Sequence, residues 1–121
     1  MSTSIVTSSP SYRSWDVVVV PFPYTEMLAE KRRPALVISG PKLHRLGFLW
    51  LVMITGAAKQ KRLGDIVISD LQSAGLPGAS MARTSKIATV EPTRVLRRIG
   101  AIARSERAAL AKSIGSLLAA P

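Results

Sequence analysis

Apolar and polar positions alternate in this chain in short runs, most of them too brief for helices and well suited to strands. Asp16-Val17-Val18-Val19-Val20 is β-branched and stops at Pro21-Phe22-Pro23, which predicts a buried strand ending in a turn. Tyr24 to Arg33 is a polar connecting loop, and Pro34 introduces a second strand, Ala35 to Ser39, closed by Gly40-Pro41. A third apolar run, Phe48 to Thr55, ends at Gly56; its length and flanking glycines favour a strand. Ala57 to Leu63 reads as a solvated loop, Asp65 to Ile68 as a short strand, and Ser73 to Gly78 as a turn-rich connection. Further extended segments are expected at Ser80–Thr84, Ile87–Val90 and Arg97–Ile102.

The period then changes. Ser105 is placed as an N-cap with Glu106 in the first turn, and Leu110, Ile114, Leu117 and Leu118 share one helical face. About six short strands closed by one helix predict a mainly β fold, a small barrel or strongly bent sheet. Residues 1–13 are small and polar and are expected to form a disordered tail, leaving 14–121 as a single domain.

Composition sharpens this picture mainly by exclusion. The chain of 121 residues lacks cysteine and has one histidine, His44. Disulfides, thiol nucleophiles and Cys-based zinc sites are therefore ruled out, and no site can draw several histidines from one chain. The carboxylates show no metal-ligand spacing, and Asp65 and Asp70 are expected at the surface. No cofactor is indicated: GxxxxGK[ST] and GxGxxG are both missing. The longest apolar run, Phe48 to Ile54, is far too short to span a bilayer, and a soluble, cytoplasmic protein without a membrane partner is expected.

Charge adds a positive argument. Seventeen Lys and Arg against seven Asp and Glu leave +10, which concentrates polyanions around the molecule. The cations cluster as Lys31-Arg32-Arg33, Lys59/Lys61/Arg62, Arg83 with Lys86, and Arg97-Arg98. A guanidinium at a strand edge offers a planar fork to a phosphate. Aromatics are few, so base stacking across a whole sheet has little material.

Three ordered segments resemble the MazF/PemK family of toxin endoribonucleases. They are Asp16 to Thr25 (DVVVVPFPYT), Lys31 to Ser39 (KRRPALVIS), and the pair Val52 to Thr55 (VMIT) and Arg83 to Glu91 (RTSKIATVE) followed by Arg98-Ile99-Gly100. The resemblance covers roughly residues 15–104 and implies an SH3-like barrel with a C-terminal helix, working as a homodimer. It further implies metal-independent cleavage of single-stranded RNA at short motifs. The RNA 2′-hydroxyl attacks its own phosphate, leaving a 2′,3′-cyclic phosphate and a free 5′-hydroxyl. A cognate antitoxin with an acidic, flexible segment would cover the RNA groove.

Carried over by position, the family's catalytic pair falls on Arg33 and Thr55. RNA contacts are expected from Lys31, Arg32, Lys59, Lys61, Arg62, Arg83 and Lys86, and the motif read would depend on loops Tyr24–Arg32 and Lys59–Gly64. The family's usual glycine before the first aspartate is Trp15 here, an acid found in some relatives is replaced by Ser85, and Ala88 stands where many members have arginine. The general base is unassigned, with Glu26, Glu30 and His44 as candidates. The alternatives are a barrel that does not cut, such as a gyrase-directed toxin like CcdB, and a basic RNA-binding module.

Overall fold

The computed structural model describes residues 11–21 and 31–121. Its strands are β1 (Asp16–Pro21), β2 (Arg32–Val37), β3 (Leu49–Gly56), β4 (Asp65–Ile68), β5 (Ser80–Val90) and β6 (Arg97–Ala101). The helices are α1 (Pro41–Arg45), α2 (Leu71–Ala74) and α3 (Arg104–Ser116). All pairings are antiparallel, in one sheet of order β4-β5-β3-β2-β1-β6. The expected mainly β architecture with a C-terminal helix is therefore what the chain adopts.

Register explains how so short a chain fills two cores. Val17 pairs with Leu36 and Leu36 with Val52, and all three belong to one buried cluster with Ile54, Ala82 and Leu110. Their neighbours Val18, Ala35 and Met53, also in register, point to the opposite face and join Val20, Val37 and Leu51. β1 and β2 are thus buried on both sides, which is why they read as unbroken apolar runs rather than alternating ones. Helix α3 packs on β4 and β5, and α2 lies against β6. That contact is tight. Gly75 caps α2 at φ 71°, and a methyl there would overlap the Ile99 carbonyl, while one at Gly100 would overlap the Ala74 backbone.

Several local expectations are corrected. The second strand starts earlier, at Arg32, and ends at Val37, because Arg33 and Arg32 pair with Val20 and Pro21. Ser80–Thr84 and Ile87–Val90 are one strand, β5, with a register break that leaves Thr84, Ser85 and Lys86 out of the β3 ladder. Helix α3 begins at Arg104 with Ala103 as N-cap, so Ser105 is inside the helix. Glu106 turns away to accept hydrogen bonds from the Ser69 and Asp70 backbone N–H groups. Only Leu110 of the predicted apolar face is fully buried; Ile114 packs at the margin, and Leu117 and Leu118 lie exposed past the helix end. Asp65 is not a surface residue but 3% exposed.

Candidate functional site

Arg33 sits at the first turn of the pleat in β2, opposite Val20. The β2–β3 register pairs Ala35 with Met53. That ladder ends at this pair, two residues short of Arg33 and of Thr55. Both side chains line a cavity of about 350 Å³, together with Lys31, Arg32, Leu76 and Ser80. Sequence order separates these groups; strand pairing joins them.

The electrostatics of this cavity are one-sided. Three cations line it, and no carboxylate does so among the described residues. The Arg33 Nε is buried and has no hydrogen-bond partner among the described residues. An unsatisfied buried donor costs about 1–3 kcal/mol. Thr55 is 7% exposed and makes no hydrogen bond to the described residues through its hydroxyl, which leaves that group for whatever enters. Ser80, which the sequence did not single out, presents its hydroxyl here but donates it to the Gly78 carbonyl at 2.8 Å. Leu76 and Pro77, from a segment read only as a turn, supply an apolar wall. Their only sequence signal was the apolar residue set among turn formers.

Arg83 has a different surrounding. It is 6% exposed, and its Nε and Nη2 donate to the Asp65 carboxylate, the shortest contact being 3.0 Å. Nη2 also donates to the Gln60 carbonyl at 3.0 Å. Its guanidinium is enclosed and paired, and it does not line the Arg33 cavity. Burial raises the Asp65 carboxyl, but the hydrogen bonds from Arg83 and the Arg62 backbone, with the charges of both arginines, outweigh it and hold the group below its usual range. The pair organises the loop after Thr55: Asp65 accepts from the Arg62 N–H at 2.8 Å, and the Gly64 carbonyl accepts from the Thr84 hydroxyl at 2.6 Å. Lys59, Lys61 and Arg62 on that loop are exposed.

The remaining candidates are spread out. Lys86 is half-buried in the unpaired part of β5. His44 does not line the Arg33 cavity. It lies on α1, beyond the far end of β2, with its Nε2 2.7 Å from the Ser39 hydroxyl, a strand's length of roughly 15–20 Å away. Glu26 and Glu30 lie outside the described residues. Among the described residues no three His, Cys, Asp or Glu side chains gather where they could hold a metal ion. No described helix is long and apolar enough to cross a membrane.

Comparison with known proteins bears on this geometry. Residues 13–118 match the family model described as PemK-like, MazF-like toxin of type II toxin–antitoxin system. The fold is similar to the Mycobacterium tuberculosis toxin MazF-mt6, with TM-score 0.67, 20% identity, and coverage of 84% of this chain and 93% of that one. It is also similar to a mycobacterial endoribonuclease solved with its cognate antitoxin: TM-score 0.71, 12% identity, 92% and 100% coverage. A MazE–MazF complex from Deinococcus radiodurans matches at TM-score 0.67 and 17% identity, covering 95% of this chain and 100% of that one. No curated protein matches by sequence. At these identities the solved structures speak for the fold.

Proposed function

Since the chain belongs to the family of PemK-like, MazF-like toxins of type II toxin–antitoxin systems, we propose that it is an endoribonuclease that cuts single-stranded RNA at the Arg33–Thr55 cavity. The observation that carries this reading is the sharing of one cavity by a guanidinium and a hydroxyl that are both incompletely bonded among the described residues, with two further cations. RNA enters with its phosphate against Arg33. The ribose 2′-oxygen attacks the adjacent phosphorus, its proton passes to solvent water, and the bond to the 5′-oxygen breaks. A 2′,3′-cyclic phosphate and a 5′-hydroxyl result, with the departing oxygen taking up a proton.

In that sequence Arg33 balances the extra negative charge on the pentacoordinate phosphorus. Donors fixed in advance where charge develops carry large effects, about 10²–10³ in rate for one such group. Thr55 donates to a phosphate oxygen and holds its orientation. Lys31 and Arg32 neutralise neighbouring phosphates, and the exposed loop cations Lys59, Lys61 and Arg62 extend the track. The chemistry needs no metal in the family this chain joins. A cognate antitoxin with an acidic segment competes for the same cations, and a homodimer is the working form.

Purified protein should cleave single-stranded RNA in EDTA and leave cyclic-phosphate ends. The Arg33→Ala variant should lose that activity while its circular dichroism and unfolding curve stay as in the parent. Full activity in the variant would remove the proposal. Growth arrest with intact RNA would instead indicate a toxin that acts on a protein target.

A further inference from the structure

At the other end of the sheet, where β1 enters and α1 follows β2, lies a second and larger cavity of about 870 Å³. That volume falls within the range of small-molecule sites. Its walls combine Trp15 and Tyr12 with Arg13, Arg45 and Arg107, and Glu91 is the carboxylate among its described lining. Arg107 is anchored by its Nε, which donates to the Ile102 carbonyl at 3.1 Å. The ends of that guanidinium, and the side chains of Arg13 and Arg45, form no ion pair among the described residues. Three arginines facing one acid leave a net positive concavity.

The backbone supplies an independent sign. Trp15 has φ 74°, the only non-glycine residue with positive φ among those described. A bulky residue in this region is strained, and such strain persists where the surroundings enforce it and gathers at functional sites. The enforcement is visible: the Trp15 N–H donates to the Val37 carbonyl at 2.7 Å, and its carbonyl accepts from the Ile102 N–H at 2.9 Å. Glycine would hold the same bonds without strain. The indole is half-buried, packing against the first core cluster while lining the cavity. This chain therefore keeps a large aromatic where the backbone favours none, beside uncompensated arginines.

We propose that this cavity is a nucleotide-binding site, separate from the cleavage cavity, in which a base stacks on Trp15 and its phosphate is held by Arg13, Arg45 and Arg107. Stacking suits the indole, and guanidinium forks suit the phosphate. The nucleotide is either a free mononucleotide or one residue of an RNA strand. The site does not depend on the nuclease reading.

Calorimetric titration of the full chain carrying Arg33→Ala, so that RNA stays intact, tests this with adenosine 5′-monophosphate, inorganic phosphate and a short RNA oligomer. Trp15→Gly, which the local backbone accommodates, and the exposed Arg45→Glu are added in turn. Stacking loss should weaken binding between about fivefold and a hundredfold. If the mononucleotide shows that loss, the site takes free nucleotides; if only the oligomer shows it, the site holds part of a strand. Binding of both probes unchanged by Trp15→Gly and Arg45→Glu would overturn the proposal. So would the failure of both to bind, or inorganic phosphate binding as tightly as the nucleotide. Loss of RNA cleavage in the unsubstituted chain would leave these outcomes intact, so the two readings fail separately.

Discussion

Arg33, half-buried, and Arg83, buried, both sit at strand positions, yet they occupy opposite electrical situations. Arg83 is closed in by the Asp65 carboxylate and the Gln60 carbonyl, a compensated charge that belongs to the scaffold. Arg33 has a buried Nε without a partner among the described residues, and it lines a cavity together with further cations. The lesson is that a cation's task is set by what answers its charge. A filled arginine stabilises; an unfilled one waits for an anion.

The widest expected separation between the two is in stability. Asp65→Ala should cost about 3–5 kcal/mol in urea unfolding, because it strands a buried guanidinium. Arg33→Ala should change stability little, since it removes a donor that has no partner among the described residues. A comparable loss in both variants would break the distinction. In cleavage, Arg33→Ala should lower the rate about 10²–10³-fold, measured on a fluorogenic single-stranded RNA. Thr55→Val should cost about tenfold in the same assay, the scale of one hydrogen bond to a charged group.

Acid should reach the paired arginine first. The Asp65 carboxyl is held below its ordinary 3.8, so the stability it confers is complete above that pH and fades as pH falls through the lowered value. Unfolding free energy followed from pH 6 downward should drop more steeply in the parent than in Asp65→Asn. The smallest effect is expected from an exposed loop cation. Lys61→Ala should weaken RNA binding evenly across sequences and reduce the slope of log affinity against log salt by about one.

How much of this was legible in the sequence follows from which interactions are local. The apolar runs gave β1 and β3 with near-correct limits, because a strand buried on both faces needs a continuous apolar segment, and β4 from its short β-branched run. The polar Arg83-Thr84-Ser85-Lys86 stretch hid the continuity of β5, since its residues satisfy partners outside the β3 ladder. Helices α1 and α2 are barely one turn and carry no apolar period; for α2, Asp70 and Gly75 were the only cues, as caps. Arg33 and Thr55 could be named from motif position, but their meeting depends on register. The fate of Arg83 depended on Asp65, 18 residues away, and charge counting carries no information about such pairing.

The Gly64 carbonyl also accepts from the Ser113 hydroxyl of α3, at 3.3 Å, beside its bond from Thr84. One oxygen thereby moors the basic loop to the C-terminal helix as well as to the sheet. Anything that pulls α3 off its seat slackens that mooring, so the chain's tail and the RNA track in the proposed reaction share a mechanical linkage.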